Sequence, residues 1–219
     1  MDTTKTKIKH KKYKTLMPNT NSSTIKVQKR DGRLEDLDIN KIHFVVEEAC
    51  EGLSGVSSSQ IEMNANIQFY DGMTTKDIQN VLVRSANDLI SLEAPNYQYA
   101  AARLLSYDVR KEAHGQYEYS PLLKLILRNI RSGVYDKAIL EKYTKTEIKK
   151  FNTWIKRERD LKFTYAGLRQ ICDKYLVQDR SSGQIYETPQ DMYMMIAATL
   201  FADYPTKTRM SYVKKYYDA

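Results

Sequence analysis

The residues whose types and spacing could do chemistry lie close together near the start of the sequence. Lys29 and Arg30 stand beside an Asp-Gly pair, and Glu35 and Lys41 follow shortly after it. Three cations around a helix N-terminus suit a triphosphate, because charge pairing adds to the free N–H groups and the dipole of the helix. A carboxylate such as Glu35 can accept a hydrogen bond from an adenine amino group or a ribose hydroxyl. The cluster therefore predicts an adenine-nucleotide site.

A plainer interpretation is that the Lys-Arg-Asp-Gly segment forms only a polar hairpin turn. Those four residues taken alone favour the turn. The position of Lys41, within the first turn or so of a predicted helix that packs under the hairpin, favours the nucleotide site instead.

A short hairpin and a helix are expected to position this cluster. Residues 24–37 alternate between apolar and polar types around Asp31-Gly32, a strong local signal for a β-hairpin whose two turn positions have positive φ. Asp38 is the predicted N-cap of the first helix, which we expect to end near Gly52. The apolar face of that helix comprises Ile39, Ile42, Val46, Ala49 and Leu53.

Local signals predict three more helices in the first half of the chain. The segment Ser59–Glu62 has the form of a capping box and opens a second helix, and Thr74–Asp77 opens a third. Pro95 fits the first helical position of a fourth helix, which ends at Gly115. A hairpin followed by four helices makes a small α+β module.

The remaining sequence predicts helices joined by short polar links, with a second small hairpin around the turn at 180–183. Two further helices are expected at Gln190–Ala202 and Thr206–Tyr217. The predicted fold class is mainly α with small β-hairpins. We expect one domain at 25–115 and a helical region at 116–219.

Most of the net charge of +8 comes from the first 24 residues. Residues 1–24 hold six lysines and one aspartate, which leaves +3 for the other 195 residues. Their Thr, Ser and Asn content predicts a basic, disordered tail, with weak nucleic-acid contact as the alternative. Because the rest of the chain is barely basic, nucleic acid is not the leading partner.

The sequence contains no segment long and apolar enough to cross a bilayer. The longest apolar run, Met192–Ala202, has 11 residues, whereas a spanning helix needs about 20. No secretory signal is visible, and the two cysteines, Cys50 and Cys172, form no CxxC. We therefore expect no metal site, no disulfide framework, no membrane partner and a cytoplasmic location.

Several segments together resemble a known family. Val27-x-Lys29-Arg30-Asp31-Gly32, followed by Lys41-Ile42, is similar to the ATP-cone, a nucleotide-sensing module of ribonucleotide reductases and of their transcriptional repressor. Further segments resemble the large subunit of the aerobic class I ribonucleoside-diphosphate reductases: Ile67–Gly72, Ala94–Arg103, Arg110-Lys111, Gly115–Glu118, Tyr175–Gln178, Gly183–Glu187 and Tyr212–Ala219. The resemblance covers residues 25–219.

This resemblance implies an ATP-cone, a β-hairpin with a four-helix bundle, followed by an all-helical segment. It implies ATP or dATP as an allosteric effector, bound with Mg²⁺. The positions expected to bind the effector are Lys29, Arg30, Glu35, Asp38, Lys41, Thr75, Ile78, Gln79 and Lys111. The family often has Asn where this chain has Asp38, and His where it has Gln79 and Asp108. A carboxylate at Asp108 should weaken anion affinity or change which phosphates are recognised.

By the same resemblance, the chain is the amino-terminal, effector-binding portion of a reductase large subunit. The complete enzyme reduces ribonucleotides to deoxyribonucleotides for DNA synthesis. The reaction requires a thiyl radical and a redox-active thiol pair, hence at least three cysteines, and neither cysteine here matches the active-site motifs of the family. We therefore expect no catalytic residue in this chain, no activity by the chain alone, and the catalytic cysteines on a downstream part.

The implied partners are the remaining C-terminal part of the large subunit and a radical-generating small subunit, with a homodimer of the complete large subunit. A stand-alone ATP- or dATP-binding regulatory module is the alternative. The repressor would need a zinc ribbon with paired CxxC before the cone, which this sequence lacks. A helical interaction module without a ligand is the third possibility.

The last predicted helix carries an aromatic surface. Tyr212 and Tyr216 share one helical face, with Val213 and Tyr217 on the adjoining stripe. We expect this surface to dock onto a partner, most simply the rest of the subunit. The alternative is that it folds back onto the Met192–Ala202 helix.

Overall fold

The computed structural model describes residues 25–219, so the predicted basic tail, residues 1–24, lies outside the described residues. Its first element is a small sheet with strand order β2-β1-β3. Strands β1 (Lys26–Gln28) and β2 (Leu34–Asp36) pair antiparallel, and β3 (Met73–Thr74) adds a parallel strand on the other side of β1. The third strand was not predicted, because two residues give no periodicity to detect.

The predicted first hairpin is confirmed, but its turn differs from the prediction. Gly32 donates its N–H to the carbonyl of Lys29 at 2.9 Å, and Lys29 donates to the carbonyl of Arg33 at 2.8 Å. Within residues 25–219 only glycines have positive φ, and the glycine with positive φ in this turn is Gly32, at +85°. A three-residue loop needs only one left-handed position, so the expectation that Asp31 also adopts positive φ was wrong. The carboxylate of Asp31 instead accepts the N–H of Arg33 at 3.1 Å.

The first two helices begin at polar caps. In α1 (Ile39–Cys50), Asp38 is the N-cap, as predicted. In α2 (Ser58–Asn66) the cap is Ser57, whose hydroxyl accepts the N–H of Gln60, so the predicted start at Ser59 was wrong. Consecutive serines offer several registers, and the sequence alone does not choose among them.

The next two helices form the centre of the first core. Thr74 caps α3 (Thr75–Asn87) by accepting the N–H of Asp77 at 3.0 Å, which confirms the predicted start. The helix α4 (Tyr97–His114) begins after a turn at Pro95-Asn96 rather than at Pro95 itself. It ends where predicted, because Gly115 adopts a left-handed φ of +71° and donates its N–H to the carbonyl of Lys111.

The rest of the described chain is helical, which confirms the predicted fold class of mainly α with a small β component. Its helices are α5 (Leu122–Arg131), α6 (Ala138–Lys142), α7 (Lys145–Trp154), a 3₁₀ helix (Arg157–Lys162), α8 (Tyr165–Lys174), α9 (Pro189–Leu200) and α10 (Thr206–Asp218).

The predicted second hairpin is reduced to a single β-bridge between Gln178 and Ile185. Side-chain carboxylates accept hydrogen bonds from backbone N–H groups that a longer β-ladder would pair with carbonyls. The N–H of Val177 donates to the carboxylate of Glu187, and that of Ile185 donates to the carboxylate of Glu112, both at 2.9 Å.

Two hydrophobic cores hold these elements together. The first combines the sheet and α1 to α4 with residues from later in the chain, including Leu168 and Cys172 of α8. The second joins α5, α6, α7, α9 and α10 around Ile126, Phe151 and Met194. The helix α8 therefore crosses back to complete the first core. The functional boundary at residue 115 stays a prediction.

The aromatic surface of α10 is divided between two environments. Val213 and Tyr217 are buried in the second core, so this stripe folds back on the chain itself. Tyr212 and Tyr216 remain about half exposed and pack around the ring of Phe201, with ring centroids 5.6 and 5.8 Å away. Within residues 25–219, no helix is long and apolar enough to cross a membrane.

Candidate functional site

A cleft opens where the sheet meets α1, α3 and α4. It is open to solvent on one side and is lined by both apolar and charged side chains. All the predicted site residues except Arg30 line it. The lining residues are Val27, Lys29, Glu35, Asp36, Leu37, Asp38, Lys41, Ile42, Val45, Thr75, Ile78, Gln79, Leu82 and Lys111.

One wall of the cleft is apolar. Val27 of the sheet and Ile78 and Leu82 of α3 are buried members of the first core and reach the cleft surface. Ile42 and Val45 of α1 complete this wall. An apolar wall with a few polar groups at its edge suits a flat heteroaromatic ring such as adenine.

The charged residues of the cleft come in equal numbers. The cations are Lys29, Lys41 and Lys111, and the anions are Glu35, Asp36 and Asp38. The ammonium of Lys29 lies 3.2 Å from Glu35 Oε2, and that of Lys41 lies 3.4 Å from Asp38 Oδ2. The cleft is therefore a mixed site in which carboxylates already orient two of the three lysines.

Lys111 differs from the other two lysines because it lies on the last turn of α4 and is half-buried. Its ammonium stands 5.7 Å from the ring centroid of Tyr117. Burial lowers the pKa of Lys111, and the neighbouring positive charge of Arg30 lowers it further. A phosphate beside this ammonium would add a counter-charge and stabilise its protonated form.

The N-terminus of α1 is less open to an anion than the sequence predicted. The carboxylate of Asp38 accepts the N–H groups of Asn40 at 3.1 Å and of Lys41 at 3.4 Å. Two of the N–H groups expected to be free are therefore already bonded to the cap, and a carboxylate stands where an anion would bind. The expectation that the free N–H groups of this helix face the ligand was wrong in this respect.

Gln79 forms part of the cleft through a structural hydrogen bond. Its Nε2 donates to the carbonyl of Leu104 at 2.8 Å and ties α3 to α4. Thr75, the first residue of α3, lies at the rim and is half-buried. The bond from Gln79 thus helps to hold α3 and α4 together on this side of the cleft.

Arg30 is held beside the cleft by Asp108. Its Nη2 lies 3.2 Å from Asp108 Oδ1, although the two residues are 78 positions apart in sequence. Asp108 is buried on α4, and burial raises the pKa of its carboxyl against the opposing effect of Arg30. The sequence could identify each residue but not this pairing.

Sequence reasoning also missed a buried polar residue outside the cleft. Asp191 is fully buried, with its Oδ1 at 2.6 Å from Arg157 and its Oδ2 at 3.2 Å from Nε2 of His114. Burial opposes ionisation of Asp191, but His114 and Arg157 together lower its pKa. Its capping-box position after Thr188 was the available signal.

Both cysteines lie apart from the cleft. Cys50 is partly buried at the end of α1, and Cys172 is buried on α8. Burial raises the pKa of Cys50 to about 11 and that of Cys172 to about 12, so both are thiols rather than thiolates near neutral pH. Within residues 25–219, no cluster of three His, Cys, Asp or Glu side chains could hold a metal ion.

Two family models match the chain. Residues 25–112 match the ATP cone domain, and residues 161–219 match the all-alpha domain of ribonucleotide reductase. The first match contains every residue of the cleft, and the second contains α8, α9 and α10.

Curated relatives give the same assignment. The alpha subunit of ribonucleoside-diphosphate reductase 1 from Escherichia coli is 48% identical over 88% of this chain and 25% of its own length. The alpha subunit from Haemophilus influenzae is 43% identical over 90% of this chain and 26% of its own length. The chain therefore spans about a quarter of the length of these relatives. The chain thus contains an ATP cone domain followed by the all-alpha domain of ribonucleotide reductase, and over these residues it is similar to the alpha subunits of ribonucleoside-diphosphate reductases.

Proposed function

We propose that the cleft binds ATP or dATP as an allosteric effector. The observation that carries the proposal is the convergence of Lys29, Lys41 and Lys111, from three separate elements, on a cleft with an apolar wall. The three ammonium groups can pair with the phosphates of a nucleotide triphosphate, while the apolar wall packs against its ring.

The lining residues fall into three roles for such a ligand. Lys29 and Lys111, with Arg30 beside them, are proposed to face the phosphates. Glu35 is proposed to accept a hydrogen bond from the adenine amino group or a ribose hydroxyl. The predicted contributions of Asp38, Lys41, Thr75, Ile78 and Gln79 belong to the same proposal.

Mg²⁺ fits this site as an ion carried by the nucleotide. The described residues contain no cluster of three metal-binding side chains. Magnesium commonly keeps several waters and binds through substrate phosphates with one or two carboxylates, and Asp36 and Asp38 offer carboxylates at the cleft. When bound, the ion would offset part of the triphosphate charge.

At the level of the enzyme, we propose that residues 25–115 are the effector-binding domain and residues 116–219 the helical region of a reductase large subunit. The complete subunit would reduce ribonucleotides to deoxyribonucleotides for DNA synthesis. Its catalytic cysteines would come from the part of the subunit outside the quarter that this chain spans. The proposed assembly contains that part, a radical-generating small subunit and a second copy of the large subunit.

The half-exposed aromatic surface of α10 is the proposed contact with the rest of the subunit. The exposed rings of Tyr212 and Tyr216 pack against Phe201 at the end of α9, together with the exposed ring of Tyr204 from the link before α10. Aromatic groups of this kind are enriched at the cores of interfaces. Mixing the chain with the remainder of the subunit should give a complex that Tyr212→Ala and Tyr216→Ala weaken in a pull-down assay.

Calorimetry with MgATP tests the effector site. Lys29→Ala should weaken binding by about 10-fold or more, because a charge-assisted contact is worth about 1.5–3 kcal/mol. Lys149→Ala, which removes an exposed lysine of α7 outside the cleft, is the matched control. Equal affinities for wild type and Lys29→Ala would place the nucleotide elsewhere.

An activity assay tests the place of the chain in the enzyme. The chain alone, given a radical-generating small subunit and a dithiol reductant, should reduce no ribonucleotide. Adding the remainder of the large subunit should allow turnover that responds to ATP. Nucleotide binding without any gain of activity in the mixture would favour a stand-alone regulatory module.

A further inference from the structure

The Arg30–Asp108 pair stands beside Lys29 and Lys111, two of the three lysines of the cleft. Arg30 lies in the hairpin turn next to Lys29, and Asp108 lies one helical turn before Lys111 on α4. The side chain of Asp108 is 11% exposed, whereas that of Arg30 is 46% exposed. The carboxylate is therefore fixed in the protein, and the guanidinium is the member of the pair that can move.

The surroundings of Asp108 explain why it holds Arg30. From α3, Lys76 acts on Asp108, and from α4 both Lys111 and Glu112 do so. Burial and Glu112 disfavour the ionised carboxylate, and Arg30 is its nearest cationic partner, at 3.2 Å. Lys76 is shared with Glu112, whose Oε2 lies 3.4 Å from its ammonium. The Asp108 carboxylate thus depends on Arg30 for its closest counter-charge.

We propose that Asp108 competes with the effector phosphates for Arg30 and so lowers the affinity of the cleft for ATP. This inference rests on the proposed function of the cleft and describes its regulation. A carboxylate and a phosphate recognise the same face of a guanidinium, so Arg30 can serve only one of them fully. The effector either displaces the carboxylate, leaving a buried charge without its partner, or binds without Arg30.

Protonation of Asp108 releases Arg30 in this scheme. The pKa of Asp108 is raised by burial, so its carboxyl becomes neutral on acidification before an exposed aspartate does. A neutral carboxyl holds a guanidinium weakly, and Arg30 is then free for phosphate. The affinity for ATP should therefore contain a component that grows as pH falls and that requires Arg30.

A double-mutant cycle with MgATP calorimetry on the full chain tests the competition. Asp108→Asn should tighten ATP binding. In the Asp108→Asn background, Arg30→Ala should weaken ATP binding by about 10-fold or more. In the wild-type background the same substitution should weaken ATP binding by less than about 3-fold, because Arg30 is already paired with Asp108. Asp173→Asn, which removes the carboxylate of the exposed Arg169–Asp173 pair, gives the same change of net charge away from the cleft.

The outcomes separate this inference from the proposed function. Suppose that ATP binds and that Lys29→Ala weakens this binding. If Arg30→Ala then lowers the ATP affinity equally in wild type and in Asp108→Asn, the competition is overturned and the proposed effector site stands. If no variant binds ATP, the proposed function fails together with this inference. An equal increase in ATP affinity in Asp108→Asn and Asp173→Asn would also overturn the competition, since the change of net charge alone would explain both increases.

A second measurement tests the competition without substituting the buried residue Asp108. The ratio of ATP dissociation constants, Arg30→Ala over wild type, should rise as pH falls from neutral to the lowest pH at which the chain stays folded, because only the wild type gains a released guanidinium. Titration of ATP itself affects both proteins equally and cancels in the ratio. A ratio that stays constant over this range would overturn the competition.

Discussion

The carboxylate of Glu112 accepts a hydrogen bond from the backbone N–H of Ile185 at 2.9 Å, across 73 positions of sequence. Its other oxygen lies 3.4 Å from the ammonium of Lys76, the neighbour of Thr75 in the cleft. Glu112 also directly follows Lys111. The last turn of α4 therefore contacts the proposed effector site on one side and the segment around the Gln178–Ile185 bridge on the other.

Removing the Glu112 carboxylate should uncouple these two regions. In wild type, ATP should slow hydrogen exchange at the amide of Ile185, because a ligand on Lys111 steadies the same helical turn. In Glu112→Ala the Ile185 amide should exchange faster and lose its response to ATP. Exchange measured by NMR checks this, with the exposed Glu118→Ala as control. An unchanged response in Glu112→Ala would rule out transmission through this contact.

The lowered pKa of Lys111 makes a pH-dependent prediction for binding. A lysine attracts phosphate only when protonated, so ATP affinity should fall as pH rises through the lowered pKa, before ordinary lysines titrate. Lys111→Arg should remove this alkaline fall, because a guanidinium stays charged throughout. Dissociation constants measured from neutral to alkaline pH provide the check. Parallel curves for the two proteins would contradict the prediction.

Asp160 should make the folded chain less stable as pH rises towards neutrality. Burial raises its pKa from 3.8 to about 7, although Gln190 donates a hydrogen bond to Oδ1 at 2.8 Å. Its Oδ2 is buried with no hydrogen-bond partner in residues 25–219. Because the folded chain holds this proton more tightly than the unfolded chain, the contribution is complete below pH 3.8 and is lost as pH rises through about 7.

Asp160→Asn tests this by removing the titration. Its free energy of unfolding should depend less on pH between about 4 and about 7 than that of wild type, and it should exceed wild type above about pH 7. Urea denaturation at several pH values measures both quantities, with Asp173→Asn as an exposed control. Identical pH profiles for wild type and Asp160→Asn would show that Asp160 is ionised throughout.

The ion pair between Arg157 and the fully buried Asp191 should be important for stability. Arg157 donates to Asp191 Oδ1 at 2.6 Å and to the hydroxyl of Thr188 at 2.9 Å. Arg157→Ala should destabilise the chain by about 3 kcal/mol, because it leaves a fully buried carboxylate with one fewer partner. Arg169→Ala, in an exposed pair with Asp173, should change stability by less than about 1 kcal/mol. Chemical denaturation measures the free energy of unfolding of both variants, and a similar loss of stability in the two would contradict the prediction.

The features predicted correctly from the sequence are those with local causes. Asp38 and Thr74 act as helix caps through contacts within three residues, and Gly115 ends α4 through its own backbone conformation. Lys29 and Lys41 could be placed near each other for a related reason, because Lys29 lies in the first hairpin and Lys41 in the helix that directly follows it.

The features that the sequence did not reveal depend on residues far apart in the chain. The partner of Arg30 is 78 positions away, and that of Ile185 is 73 positions away. Periodicity and capping signals extend over only a few residues, so they carry no information about such pairs. Ser57 shows a different limit, because adjacent serines have nearly equal capping strength and tertiary contacts choose between them. Here the hydroxyl of Tyr97 accepts the N–H of Ser57 at 3.0 Å.

The return of α8 to the first core sets an order of events during synthesis. Leu168 and Cys172 are buried against elements that leave the ribosome well before them. While the intervening helices are being made, the face of α4 that α8 will cover remains open to water and to other nascent chains. Contacts between such distant segments also slow folding, because a long loop must close before they form. We therefore expect α4, which carries Lys111 of the proposed effector site, to reach its final packing only after α8 has been translated.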